Sequence, residues 1–168
     1  MSVQRRKDSK GRVLKTGESE RKDGTYMYRY SDAGGTRRSV YAPDLKALRE
    51  KEEEISKFSF VGVDYARGQI TVYELMQNFL EIKGSFSWST KANYGRVLKC
   101  LGLYPISNMP IKYVKMSDAK CYILKIAETR KYRTVAVHKT ALKSAFEMAR
   151  EERIIPYNPF DFELSTLL

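Results

Sequence analysis

Two hydrophobic periods share this chain, and they occupy different halves of it. Tyr26, Tyr28 and Tyr30 alternate with Thr25, Met27 and Arg29, a period of two in residues that favour strands. From Thr71 onward the apolar positions recur at helical spacing, beginning with Val72, Leu75, Met76, Phe79 and Leu80. One layer of secondary structure cannot bury both patterns. The chain therefore reads as α+β, a small sheet followed by a helical bundle.

The first half divides further. Arg5–Lys10 is a basic arm, Arg12-Val13-Leu14 is a candidate strand, and Thr16-Gly17-Glu18-Ser19 has turn chemistry. The tyrosine run is the second strand, and Asp32-Ala33-Gly34-Gly35 reads as a hairpin connection. Arg38, Val40 and Ala42 alternating with Arg37, Ser39 and Tyr41 make a third strand. Pro43 suits the first turn of a helix and Asp44 its positive end. Leu45, Leu48 and Ile55 share one face of that helix, and Arg49, Glu50, Lys51, Glu53 and Glu54 share another. Residues 10–57 thus predict a three-stranded antiparallel sheet backed by one helix. Phe58–Gln69, with Gly62, Gly68 and no period, reads as a linker.

Four helices are expected after it. Thr71-Val72-Tyr73-Glu74 is a capping box. Ser87-Trp88-Ser89-Thr90 offers hydroxyls ahead of Tyr94, Val97, Leu98 and Leu101, with Trp88 as a core plug. Ser117 and Asp118 can cap a third helix carrying Ala119, Tyr122, Ile123 and Ile126. Thr134 can cap a fourth, with Val135, Leu142, Ala145, Phe146 and Ala149 inward and Pro156 and Pro159 as its stop. The expected division is residues 1–57, a linker over 58–69, and a helical domain over 70–160.

Charge narrows the function. The 168 residues carry a net charge of +11. Residues 1–42 have a net charge of +6, residues 43–68 of −1 and residues 69–168 of +6. Between Lys83 and Lys143 thirteen bases face only two acids, Asp118 and Glu128. Such a field attracts polyanions, of which nucleic acid is the commonest in the cytoplasm. No apolar run approaches the roughly 18 residues that span a bilayer, and the charged N-terminus lacks a signal-peptide core. Cys100 and Cys121 sit in apolar segments and read as free buried thiols of a reducing compartment. His138 is the single histidine, so a zinc centre or a Ser-His-Asp triad has almost no raw material. With no P-loop or GxGxxG, no catalytic, metal or cofactor site is expected, and His138 reads as a partly buried, hydrogen-bonded residue.

The candidate binding residues fall into two sets. If the tyrosines pack on the helix, the opposite sheet face presents Thr25, Arg29, Arg37, Ser39 and Tyr41, extended by Arg21 and Lys22 in the preceding turn. Cations and hydroxyls on a sheet face suit a major groove, with Arg reading guanine and Lys holding phosphate. In the helical half, Lys91, Gly95 and Lys99 recur at four-residue intervals with Thr90, Asn93 and Arg96 nearby. Gly95 costs about 1 kcal/mol relative to Ala in a helix interior, which close approach of a partner would explain. Lys139 and Lys143 form a second stripe with Arg150. Lys131 and Arg133 flank the start of the fourth helix, where free N–H groups favour phosphate.

Read together, these motifs resemble a family. Arg12-Val13-Leu14-Lys15-Thr16-Gly17-Glu18-Ser19, then Arg21-Lys22-Asp23-Gly24, then Tyr26-Met27-Tyr28-Arg29-Tyr30, are similar to the start of conjugative-transposon integrases, which are tyrosine recombinases. Thr90, Tyr94, Thr134 and the ending Asn158-Pro159-Phe160-Asp161-Phe162 resemble that family's core-binding domain. Thr25 and Ser39 depart from the basic and aromatic residues found at those places in the family. The resemblance implies an arm-type DNA-binding domain whose sheet enters the major groove at element-end repeats. A four-helix, SAM-like domain would then clasp core sites. The implied partners are double-stranded DNA, further copies of the chain on DNA, and an excisionase-type accessory protein. Residues 161–168 would begin a linker to a catalytic domain with an Arg, Lys and His cluster and a nucleophilic Tyr, acting through a phosphotyrosine intermediate without metal. The chain itself is expected not to cut DNA. Two other readings stay open, a stand-alone regulator competing for integrase sites and a general nucleic-acid-binding protein.

Overall fold

The computed structural model describes residues 6–32, 34–82 and 87–167. Arg5 of the expected arm and Ala33 of the expected hairpin connection lie outside these. The chain divides into two compact units, Met1–Tyr65 and Ala66–Leu168.

The first unit is a sheet of order β1-β2-β3 with one helix. The strands are β1 (Glu18–Glu20), β2 (Tyr26–Ser31) and β3 (Arg37–Ala42), all antiparallel, followed by α1 (Leu45–Phe60). The register sets Tyr26 opposite Ala42 and Tyr28 opposite Val40. These four join Leu45 and Leu48 in the small core, so the tyrosine face does pack on the helix. Pro43 stands before the helix rather than in its first turn, and Asp44 caps the N-terminal end, its carboxylate accepting from the Ala47 N–H at 2.9 Å.

The first strand is not where the alternation suggested. Val13 makes only an isolated bridge to Lys7, and β1 lies at Glu18–Glu20, partly over the expected turn. Asp8 is the reason. Its carboxylate accepts from the backbone N–H groups of Lys10 and Arg12 and from Arg12 Nε, which curls residues 8–12 into a tight turn. That turn also ties the basic arm down, with Leu14 N–H donating to the Arg6 carbonyl at 2.8 Å. The reversal before β1 narrows to Thr16-Gly17. Gly17 has a φ of 89°, and a Cβ there would stand 2.7 Å from the Arg29 carbonyl oxygen.

α1 runs to Phe60, and Val63 and Tyr65 beyond it are buried. Tyr65 hydroxyl donates to Glu54 at 2.9 Å and its ring packs on Phe58. Residues 58–65, two thirds of the stretch expected as a linker, therefore belong to the first unit.

The second unit holds α2 (Val72–Ile82), α3 (Trp88–Leu101), α4 (Met116–Ala127) and α5 (Tyr132–Glu151) around Phe79, Met76, Ile123, Leu142 and Phe146. The capping box forms in both directions, Thr71 N–H to Glu74 at 2.8 Å and Glu74 N–H to Thr71 Oγ1 at 3.2 Å. Ser87 caps α3, and Asp118 accepts from the Lys115 N–H at 2.9 Å at the start of α4. Thr134 does not cap α5. It is the third residue of the helix, and its N–H already donates to the Lys131 carbonyl. The prolines do not end α5 either. Arg153 turns left-handed, φ 55°, and Ile154 N–H closes onto the Ala149 carbonyl at 2.8 Å before Pro156 is reached.

Trp88 is not a core residue: it is 86% exposed. Nine residues separate it from buried Val97, which is two and a half turns and places it on the opposite face. Cys121 is exposed as well, and Cys100 half-buried; neither is in a disulfide. The ending instead packs tightly. Asn158 is buried and donates to the Lys143 carbonyl and to Glu147, both at 2.9 Å, while accepting from the Phe160 N–H. Phe160, Phe162 and Leu164 join the helical core, so the core continues beyond residue 160.

Candidate nucleic-acid interface

The register of the sheet assembles the first candidate surface. On β2 the side chains of Met27 and Arg29 point away from the helix, and their partners across β3 are Tyr41 and Ser39. Arg37 opposes Ser31 on the same face. Arg29, Arg37, Ser39 and Tyr41 are exposed, and neither Arg29 nor Arg37 makes an ion pair among the described residues. Two unpaired guanidinium groups on one exposed face can reach a ligand without first breaking a bond.

The turn before β2 is more constrained. Thr25 donates from its N–H and its hydroxyl to Asp23, at 3.0 and 2.6 Å, which holds the Asp23 carboxyl below its usual range. Arg21 lies 3.3 Å from Asp23 and over the Tyr41 ring, 5.3 Å from its centroid. Lys22 is exposed. Arg38, next to Arg37, is turned to the other face and donates to Asp32 at 3.0 Å.

The second surface is a groove of about 430 Å³ between α3 and the start of α5. Asn93, Arg96 and Val97 line one side, and Lys131, Arg133, Thr134, Val137 and His138 the other. Segments almost forty residues apart thereby place three cations around one concavity. Arg96 donates to Asn93 at 3.0 Å, which orients its guanidinium along the helix. His138 is buried; its Nδ1 is 2.8 Å from the Tyr122 hydroxyl, and burial followed by nearby Arg130 lowers its pKa. The floor of the groove is thus neutral and its rim positive, which suits phosphate binding.

Residues 1–58 match the family model described as the DNA binding domain of Tn916 integrase. A transposase from transposon Tn1545 of Streptococcus pneumoniae is 32% identical over 98% of this chain and 44% of its own length. The transposase from transposon Tn916 of Enterococcus faecalis is 31% identical with the same coverage. The chain is similar along nearly its whole length to conjugative-transposon integrases. It spans a little under half the length of these curated relatives. Among solved structures, the Tn1549 transposon integrase in complex with a circular intermediate DNA matches with a TM-score of 0.57 at 35% identity, over 59% of this chain and 32% of that one. The same integrase in complex with transposon right end DNA matches at 0.56.

The remaining predicted residues scatter. Lys91 and Lys99 are exposed on α3 outside the groove, and Thr90 is taken up in the Ser87 cap, 2.9 Å from its hydroxyl. Lys139 and Lys143 face the packed ending instead. Lys139 Nζ sits 5.8 Å from the Phe162 ring centroid, and Lys143 donates to Asp161 at 2.6 Å. Their spacing on α5 marked them as a free stripe, but the ending that covers them comes from residues 158–163. Two residues beside these surfaces carried other readings in the sequence. Ser19 opposes Met27 on the exposed sheet face, hidden by its reading as a turn residue, and its hydroxyl is buried without a partner among the described residues. Exposed Trp88 is the other.

Proposed function

We propose that this chain is a DNA-binding portion of a conjugative-transposon integrase, engaging duplex DNA at two kinds of site during integration and excision. The sheet face enters the major groove of arm-type repeats at the element ends, and the α3–α5 groove holds the backbone of the core sites. The observation that carries the reading is the β2–β3 register, which sets unpaired Arg29 and Arg37 beside Ser39 and Tyr41 on one exposed face. A guanidinium there can bond guanine O6 and N7 together, and such a bidentate contact discriminates bases by about 1–3 kcal/mol. Kinship with the integrases supports the same assignment.

Fluorescence anisotropy tests it, with duplexes from the ends of the element that carries the gene and with scrambled duplexes. The chain should prefer the element ends. Arg29→Ala should cost about 1–3 kcal/mol on the cognate repeat and little on scrambled DNA. Equal losses on both would show that the sheet does not read sequence at this position.

A further inference from the structure

α3 carries a glycine that its own fold does not use. A glycine inside a helix is destabilising relative to alanine, because its unfolded backbone has more freedom to lose. Gly17 is needed by a left-handed turn, and a Cβ added at Gly102 would come to 3.4 Å from the Tyr73 ring. At Gly95 a Cβ would meet nothing within 4 Å. Neither backbone conformation nor internal packing calls for glycine there.

The residues on the same face point outward in a consistent way. Trp88, the single tryptophan of the sequence, lies seven residues before Gly95, close to two full turns, and is 86% exposed. Lys91 and Lys99 stand four residues on either side of Gly95, exposed and without ion pairs among the described residues. Arg96 adjoins them on the side of the groove. Between Glu81 and Asp118 the sequence has no acidic residue at all, so nothing on this stretch would repel a polyanion. A sugar–phosphate strand alternates charged phosphates with apolar sugar faces. Ammonium groups around a bare backbone, next to one exposed indole, complement that alternation; an apolar protein surface would have to desolvate both lysines.

We propose that this face of α3 is the track of one DNA strand. The strand crosses the helix at Gly95, where the missing side chain lets phosphates approach the helix backbone between Lys91 and Lys99. The Trp88 indole packs on a deoxyribose beside the crossing. The inference rests on the DNA-binding reading of the helical unit and extends its footprint from the groove to the outer side of α3.

The test uses the full chain and a fluorescein-labelled duplex of mixed sequence. Gly95→Ala should melt higher by a few degrees, since alanine is the better helix former, and yet bind DNA about tenfold more weakly. Opposite signs separate a contact from a structural role. Trp88→Ala should lose about fivefold or more in affinity and Trp88→Phe much less, in line with aromatic contacts to nucleic acid. Tryptophan emission of the unaltered chain should change on titration with unlabelled duplex. Arg96→Ala reports on the groove. If it weakens binding while Gly95→Ala and Trp88→Ala bind normally, the track is overturned, whatever the emission does, and the groove reading survives. If all three variants bind like the unaltered chain, the helical unit is not a DNA surface and both readings fall.

Discussion

Glu18 stands on the helix-facing side of β1 with none of its surface exposed, an unusual place for a carboxylate. It is satisfied by Arg49, whose Nε donates at 2.9 Å, and by the Lys15 N–H at 2.6 Å. Glu52 on α1 is also buried, with one carboxyl oxygen lacking a hydrogen bond. Burial, and then the neighbouring Glu18 carboxylate, push its pKa up to about 7 from an ordinary 4.5. The folded chain therefore keeps a proton that the unfolded chain releases near 4.5. The stability this provides is full below that pH and is lost as pH rises through about 7. Glu52→Gln, which stays neutral, should melt higher than the unaltered chain at pH 8, by about 4 °C or more, with the gap closing near pH 4.5. Thermal melts followed by circular dichroism at both pH values check it; a gap that does not change with pH would refute the raised pKa of Glu52. The tyrosine face was legible residue by residue, because alternation in a β-favouring run assigns faces. Glu18 was not, since a charged residue signals exposure until its partner, 31 residues away on α1, is known.

Among the elements, those with local instructions were the ones that could be read ahead. The Thr71–Glu74 box and the Ser87 cap involve residues three apart and form as expected. The start and end of α5 did not follow the candidate signals, because Thr134 found a backbone partner and Arg153 took a left-handed turn. The ending of the chain depends on one buried amide. Asn158 makes two donor bonds and one acceptor bond that hold residues 158–164 on α5. Asn158→Ala should destabilise the helical unit by about 2–3 kcal/mol, as buried partners lose their hydrogen bonds. Asn158→Asp should be no better, because a carboxylate would face Glu147 and cannot donate to the Lys143 carbonyl. Urea unfolding followed by helix ellipticity measures both. A loss under about 0.5 kcal/mol for Asn158→Ala would mean that Phe160 and Phe162 hold the segment without it.

At the scale of the whole molecule, the proposed function has the unpaired cations of the two units act on one polyanion. Each phosphate neutralised on duplex DNA contributes about −0.9 to the slope of log affinity against log salt. With Lys22 and Arg37 beside the sheet, and Arg96, Lys131 and Arg133 around the groove, roughly five phosphates or more should be engaged, giving a slope near −4.5 or steeper. Anisotropy titrations over a range of potassium chloride concentrations give the value directly. A slope shallower than about −2 would reject the assignment of both units as DNA surfaces.

The order of sheet and helices, the faces of β2 and β3, the Thr71 and Ser87 caps and the cationic character of both units follow from the amino-acid sequence, because each depends on residues within a turn or two of one another. The groove is different. Arg96 and Lys131 meet only because α3 and α5 pack on a shared core. Lys139 and Lys143 leave that surface only because Asn158 pins Phe162 and Asp161 across them. Glu18 can be buried only because α1 returns Arg49 to it. Spacing along a helix says which side chains share a face, but what covers that face, or leaves it free, is decided by segments far away in the chain.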